Sequence, residues 1–469
     1  MKILEKNIKN KIHLTGIGGI GMSGIAEVLF SQGYKIQGSD LLNNNNTKRL
    51  KKMGIKVFLG HSQKNLKNVN ILVISSAIKK NNTELKFAKK NKISVYKRSD
   101  MLAALMKYNE SIAVSGSHGK TTTTSLISSV LENANFDPTT IIGGIVNQYK
   151  STTRIGKSNW MVVEADESDG SLIDLFPKIA VLTNINKEHM DFYKNYSNLK
   201  KYFLNFTNNI PFDGVAIYCN DNTDLKKLLL ESKKRNKISY GLNNGSDVRA
   251  TNILINEKGS FFDINIKKTN LLKKETINKI RLNVLGRHNI QNSLAAVTVA
   301  KILNINTNKI KKAFQKFKGV KRRFTLVCNF KGIKIIDDYA HHPEEIKATL
   351  ELARDLKPKK IIVIFQPHRY SRFKNLYHDF KKVLKNCDRL YVANVYSAGE
   401  KKIKNISKEK FVFEMNKIKK NFAKSLNNIN SLPEIILNEG NKGDIVIFIG
   451  AGDVSKWVND LPSKLKKFS

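Results

Sequence analysis

A chain of 469 residues, 41% of them hydrophobic, has room for two to four domains, and no apolar run approaches the roughly 20 residues of a membrane-spanning helix. Its formal net charge of +43 raises nucleic-acid binding, but the lysines are dispersed along the whole chain. They come without a recognition helix, an RNA-binding aromatic pair or a zinc module, so a solvated, compositionally biased surface is expected, with neither nucleic acid nor membrane as partner.

The N-terminal stretch MKILEKNIKNKIHLTG is basic but lacks a following apolar segment, so it does not read as a secretory signal, and a cytoplasmic location is expected. Residues 12–14, 34–38, 71–75 and 94–96 predict strands, and 22–32 and 101–106 predict helices, the rhythm of a parallel sheet covered on both faces. A second unit follows, with strands expected at 112–115, 160–163 and 180–183 and a helix at 122–131. A third begins near Arg322, with strands expected at 333–336, 361–365, 390–393 and 445–449. The expected fold is therefore α/β in three domains, 1–107, 108–319 and 320–469. The runs 43–46 and 401–420 read as exposed loop or helix surface, and the well-separated Cys219, Cys328 and Cys387 as reduced thiols.

Gly16, Gly18, Gly19 and Gly21 lie in GIGGIG between a predicted strand and helix, with Asp40 ending the next strand. This matches the dinucleotide-binding fingerprint, in which small residues let backbone N–H groups and the positive helix end approach a pyrophosphate. NAD and a UDP-sugar both satisfy that chemistry, and a ligand-free tight turn is the plain alternative.

A second loop, Gly116-Ser117-His118-Gly119-Lys120-Thr121-Thr122, follows an apolar strand and opens a helix. That arrangement cradles ATP phosphates, with Lys120 toward the β- and γ-phosphates and the Thr121 hydroxyl toward magnesium; Val114 stands where the usual first glycine belongs. Downstream, Glu164, Asp166, Glu167 and Asp169 cluster at a strand end, where a hard cation bridging phosphates needs oxygen ligands. His189 follows the next strand and is a candidate for a second magnesium, although a histidine near a helix start is more often structural.

The segments GIGGIGMSGIAEVL, GSHGKTTTT, EADESD, NINKEHMD, GRHNIQN, RRF, DDYAHHP and FQPHRYSR, in that order over nearly the whole chain, resemble the Mur ligase family. The resemblance implies a Rossmann-like UDP-binding domain, a central P-loop ATPase-like domain and a C-terminal Rossmann-like domain. It also implies ATP and magnesium as cofactors and ligation of L-alanine to UDP-N-acetylmuramate in peptidoglycan synthesis. A recycling ligase that joins murein tripeptide to the same nucleotide sugar is the nearest alternative, and an NAD-dependent oxidoreductase a distant one. The oxidoreductase leaves GSHGKT and EADESD unexplained. No oligomeric state follows from the sequence.

Residue by residue, the resemblance places Lys120 on the ATP phosphates, Thr121 and Glu164 on one magnesium and His189 on the other. His288, Asn289 and Asn292 face the adenine side, Arg323 reaches the γ-phosphate and Asp338 the ATP ribose. Tyr339 and His341 belong to the substrate site, with His341 a candidate to accept the amine proton, and Arg369 and Arg372 take the alanine carboxylate. The plain alternatives are asparagines capping a helix, the His341-His342 pair as turn scaffolding, and Arg323, Asp338, Arg369 and Arg372 as surface charges. The implied mechanism activates the sugar acid as an acyl phosphate, which the amine then attacks.

Overall fold

The computed structural model describes residues 10–468, so most of the N-terminal stretch read above as lacking a signal lies outside the described residues. The first sheet is parallel throughout, with the strand order Lys56–Leu59, Lys35–Asp40, Lys11–Thr15, Ile71–Ile74, Ser94–Lys97. Strand order reverses beside Lys11–Thr15, and ligands of such sheets bind at the carboxyl ends of the strands at that switch. The helix Ile20–Ser31 starts there and buries Met22, Ile25, Val28 and Leu29. The strand Lys56–Leu59 was not foreseen, because a four-residue edge strand with no fully buried residue carries almost no periodic signal. The asparagine run is not plain surface: Asn44 caps the helix Asn45–Lys52 by accepting from Asn46 and Thr47 backbone N–H groups.

The second sheet has ten strands. Its centre, Val215–Cys219, Ile179–Leu182, Glu110–Ser115 and Trp160–Glu164, is parallel and apolar, as strands buried on both faces must be. The outer strands Val248–Asn256, Gly259–Ile266 and Glu275–Leu282, studded with lysine and asparagine, escaped the sequence reading. The third sheet runs Thr325–Phe330, Ile333–Asp338, Ile445–Ile449, Ile361–Phe365, Arg389–Val392, Ala423–Ser425, with only the first pair antiparallel. Both Ile361–Phe365 and Ile445–Ile449 are buried at every residue. Their side chains alternate between two cores, with Val363, Phe365 and Ile447 in one and Ile362, Ile364 and Val446 in the other.

These sheets form two compact units. One runs through Leu254 and takes in Ser260–Val284 and Asn289–Val320; the other comprises Ile255–Gly259, Leu285–His288 and the segment from Lys321 onward. Among the described residues, no helix is long and apolar enough to cross a membrane. All three cysteines are free, and Cys219 and Cys387 are buried. The 401–420 run is also not wholly surface: Lys408 is buried and its Nζ donates to the Leu426 carbonyl.

Candidate active site

The first glycine loop is shaped by its neighbours. Gly16 sits at φ +82°, a conformation that favours glycine, and its N–H and that of Ile17 both donate to the Ser39 carbonyl. Gly18 donates its N–H to Asp40 Oδ2 at 2.8 Å, while its carbonyl accepts from Asn44 (3.2 Å) and Asn46 (2.9 Å). A Cβ on Gly18 would lie 2.8–2.9 Å from Asn44, Thr47 and Asp40 side chains. Gly19 N-caps the helix, and Gly21 faces Arg98, a cation that the sequence reading missed. Asp40 thus organises the loop through one oxygen, and its other oxygen accepts from Leu42 N–H.

In the second loop, Gly116 (φ +138°) and Gly119 (φ +82°) allow the backbone to double back over Lys120, the first residue of the helix Lys120–Asn133. The end of the next strand braces the loop. Thr183 Oγ1 donates to the His118 carbonyl (2.6 Å), Asn184 Oδ1 accepts from His118 N–H (2.8 Å), and Asn186 N–H donates to Ser117 Oγ (2.8 Å). Lys120 Nζ donates to the Gly116 carbonyl (2.6 Å) and to Glu167 Oε1 (3.0 Å). Burial alone would lower its pKa, but Glu167, Asp166 and Glu164 outweigh burial and hold the ammonium charged.

The four acids of EADESD divide by task. Glu164 accepts from Thr121 Oγ1 (3.0 Å) and from Gly143 N–H (2.7 Å), so the proposed magnesium pair is already adjacent. Glu167 pairs with Lys120 and lies 3.6 Å from His189 Nε2. Asp166 and Asp169 instead accept from Ser168 and Ser171 in their own turns. Glu167 was expected only as one of the acid cluster, with no role of its own, and Glu188 was given none. Ligand atoms of Glu167, Glu188 and His189 lie within 4.8 Å of one another, and burial pushes the Glu167 carboxyl above its ordinary range against the pull of Lys120. The oxygens of Thr121 and Glu164, and separately the carboxylates of Glu167 and Glu188, suit a hard divalent cation such as magnesium, with the His189 imidazole as the softer donor beside the second pair. Gly143 and Gly144 were also missed; glycines within a strand signal close approach, and here a Cβ would meet Glu164 or Thr121.

Asn289 and Asn292 do not cap a helix, contrary to the plain alternative. They are buried within Arg287–Ile302, and a Cβ on Gly119 would lie 2.7 Å from Asn292 Oδ1. Asn292 therefore faces the phosphate loop.

In the second unit, Asp338 accepts from Ala340 (2.7 Å) and Phe324 (2.8 Å) backbone N–H groups, and burial raises its pKa to about 6. Its carboxylate shapes the turn on which Tyr339 and His341 sit. Arg322 and Arg323 lie over the Tyr339 ring, and Arg323 reaches 3.7 Å from Glu345. The adjacent histidines differ. His342 Nδ1 accepts from Glu344 N–H as the N-cap of Pro343–Asp355, which is scaffolding, whereas His341 Nδ1 faces the Tyr339 carbonyl at 3.0 Å. A carbonyl only accepts, and Glu345 Oε2 lies 3.2 Å from the same nitrogen, so His341 carries a proton on Nδ1.

Arg369 begins its helix from the left-handed region (φ +67°), its N–H held by the Tyr396 carbonyl. Arg372 Nη1 lies 3.2 Å from His368 Nδ1, and the His368 ring stacks on Tyr396 with centroids 5.5 Å apart. Burial, reinforced by His341 and the arginines, lowers the His368 pKa to about 4. His368 is thus a neutral ring that aims Arg372, a residue the sequence reading passed over. His288 is lowered to about 4 by burial and then by Arg323.

A glycine loop at one sheet's switch point, a lysine loop facing carboxylates in the next, and an arginine pair at a strand end in the third define a nucleotide-dependent ligase of Mur type. The chain belongs to the Mur ligase family: residues 11–110 match the family's catalytic domain, 114–300 the Mur ligase middle domain and 322–452 the glutamate ligase domain. It is 46% identical, over 100% of both chains, to the UDP-N-acetylmuramate--L-alanine ligase of Rickettsia bellii. It is also similar to the crystal structure of a UDP-N-acetylmuramate-alanine ligase from Thermotoga maritima, with 26% identity and a TM-score of 0.80 over 98% of this chain and 100% of that one. A murein peptide ligase from Psychrobacter arcticus shares the fold at 21% identity and a TM-score of 0.69, over 97% of this chain and 98% of that one.

Proposed function

We propose that this chain joins L-alanine to UDP-N-acetylmuramate, forming UDP-N-acetylmuramoyl-L-alanine while ATP becomes ADP and phosphate, a cytoplasmic step of peptidoglycan synthesis. The carrying observation is Lys120, held between loop carbonyls and Glu167 beside the Thr121–Glu164 pair. The full-length identity to alanine-adding ligases supports the choice of amino acid. In this reading the domains are 1–107 for the UDP-sugar, 108–319 for ATP and 320–469 for the amino acid.

The first glycine loop, Gly16, Gly18, Gly19 and Gly21, lets the UDP pyrophosphate come close to the positive start of the helix Ile20–Ser31, with Asp40 keeping the loop in shape. Gly116, Ser117, His118, Gly119 and Thr122 surround the ATP phosphates, and Lys120 and Arg323 disperse charge on the γ-phosphoryl group as it moves to the sugar acid's carboxylate. His288, Asn289 and Asn292 line the adenine side, and Asp338 meets the ribose. Thr121 and Glu164 hold one magnesium, and His189, with Glu167 and Glu188, a second; magnesium supplies charge neutralisation along the phosphates. The acyl phosphate is then attacked by the alanine amine, whose proton passes to His341 Nε2, and phosphate leaves. Tyr339 flanks that base, and Arg369 and Arg372 take the alanine carboxylate as a bidentate pair.

The test is ADP release by the purified protein with UDP-N-acetylmuramate and each amino acid in turn, with murein tripeptide as a separate arm. Alanine should give the fastest release. A preference for tripeptide would transfer the reading to the recycling reaction, and no release with any acceptor would overturn it.

A further inference from the structure

A single buried carboxylate ties together three strand ends of the first sheet. Glu84, in the first turn of Thr83–Lys90, has no solvent exposure. Its Oε2 accepts from Thr15 Oγ1 and Ser39 Oγ, each at 2.7 Å, and its Oε1 from Asn65 Nδ2 (2.7 Å) and Ser62 N–H (3.2 Å). Thr15 immediately precedes Gly16, Ser39 precedes Asp40, and Ser62 follows His61. Burial would favour the neutral acid, but hydrogen bonds from His13, Ser39 and Asn65 outweigh it and hold the pKa at about 2. Glu84 is therefore an anion that only accepts.

Counting protons outward from Glu84 fixes the surrounding rings. Gln37 Nε2 donates to the Asn65 carbonyl (2.6 Å), which orients that amide, and its second hydrogen faces His13 Nδ1 (3.1 Å). His13 thus accepts at Nδ1 and carries its proton on Nε2, 3.2 Å from both Glu84 and Ser39. The one hydroxyl proton of Ser39 goes to Glu84. Its lone pair faces His61 Nδ1 at 2.9 Å, so His61 donates from Nδ1, the tautomer that leaves the lone pair on Nε2. Of these rings, His61 alone has solvent access, with 11% of its side chain exposed against none for His13.

Three exposed leucines stand at the strand ends that lead to His61. Gly60 donates its N–H to the Asp40 carbonyl, and Asp40 pairs in register with Leu59. Leu41, Leu42 and Leu59 are 66%, 68% and 69% exposed, unusual for leucines at the ends of adjacent strands and suited to the face of a planar base.

We propose that His61 reads the base of the nucleotide sugar: its Nε2 lone pair accepts the N3–H of uracil beside these leucines, so the site takes uridine and rejects cytidine, whose N3 is itself an acceptor. Glu84 is a positioning residue, acting through Ser39 to hold the His61 tautomer. The inference rests on the reading of the first glycine loop as a UDP-sugar site.

Calorimetry on the full-length protein with UDP, 3-methyl-UDP and CDP tests it. UDP should bind about tenfold or more tightly than either analogue, because each leaves His61 facing a group that donates nothing. His61→Phe, checked for folding by circular dichroism, should erase that preference. In histidine-labelled protein, nitrogen NMR should show His61 as the Nδ1–H form, with its Nε2 resonance moving on addition of UDP. Equal binding of the three nucleotides by the unmodified protein overturns the inference, as does a folded His61→Phe that keeps the preference; UDP binding would then stand without this residue. Should the variant not fold, the three-nucleotide comparison on the unmodified protein decides. If the unmodified protein binds no UDP, the assignment of the loop itself falls.

Discussion

Asp40 Oδ2 accepts the backbone N–H of Gly18 at 2.8 Å, which makes the acidic residue of the fingerprint a clamp on its own glycine loop. Removing the carboxylate frees a loop N–H and loosens the pyrophosphate cradle. Asp40→Ala should raise the KM for UDP-N-acetylmuramate about tenfold, on the order of 1–3 kcal/mol for a lost partner, and leave the ATP KM within about twofold. Steady-state kinetics with each substrate varied in turn checks this, and a rise confined to ATP would contradict it.

Lys120 lies 2.8 Å from Glu167 Oε2, so the same buried carboxylate that holds the ammonium also borders the cation cluster. Lys120→Ala should lower turnover roughly a thousandfold, the scale for removing a charge aimed at a transferring group. Glu167→Gln should raise the magnesium concentration for half-maximal activity about tenfold or more. Turnover measured across a magnesium titration separates the two effects. Unchanged magnesium dependence would remove Glu167 from the cation site.

The sequence suggested one loop for both arginines, but Arg369 is the N-cap of the short helix Tyr370–Asn375 and Arg372 lies within it, after a fully buried strand. Each change to alanine should raise the alanine KM about tenfold or more, since a carboxylate loses one arm of a bidentate contact. His368→Ala should act in the same direction by releasing Arg372. If both arginine variants raise only the ATP KM, this segment serves ATP instead.

Neutral, partly buried His288 and His368, each lowered to about 4, set a pH dependence for the second unit. In the unfolded chain an imidazole binds its proton near pH 6.5, while in the folded chain these two resist until about pH 4. Between those values the unfolded state holds more protons, so stability is full above about 6.5 and falls as pH drops toward 4. Glu84, lowered to about 2, adds a second loss between about pH 4.5 and 2. Urea unfolding from pH 7.5 to 4 should show the first loss, and a folded His368→Gln variant should show a shallower one.

Much of the fold was legible. The runs IIVIF and IVIFI read as strands because burial on both faces leaves no polar position to confuse the pattern, and both appear with the expected bounds. Lys56–Leu59 and the outer strands of the second sheet stayed hidden, since half-exposed edge strands in a lysine- and asparagine-rich chain look like loop. The loops were visible as motifs because glycine and lysine at fixed spacing mark phosphate chemistry locally. Glu188, Arg98 and His368 were not, since nothing beside them in sequence states what they face.

By itself the sequence determined the α/β class, the place of the two glycine loops between strand and helix, and the family, because each is written in short contiguous segments whose backbone geometry is local. Only the tertiary structure decided which acid of EADESD turns to Lys120, which of His341 and His342 caps a helix, and which hydroxyl His61 faces. Those answers depend on hydrogen-bond donors and acceptors brought together from strands and helices far apart in the chain, such as Glu84 with Thr15 and Ser39. Direction and proton inventory are properties of that meeting and of no single segment.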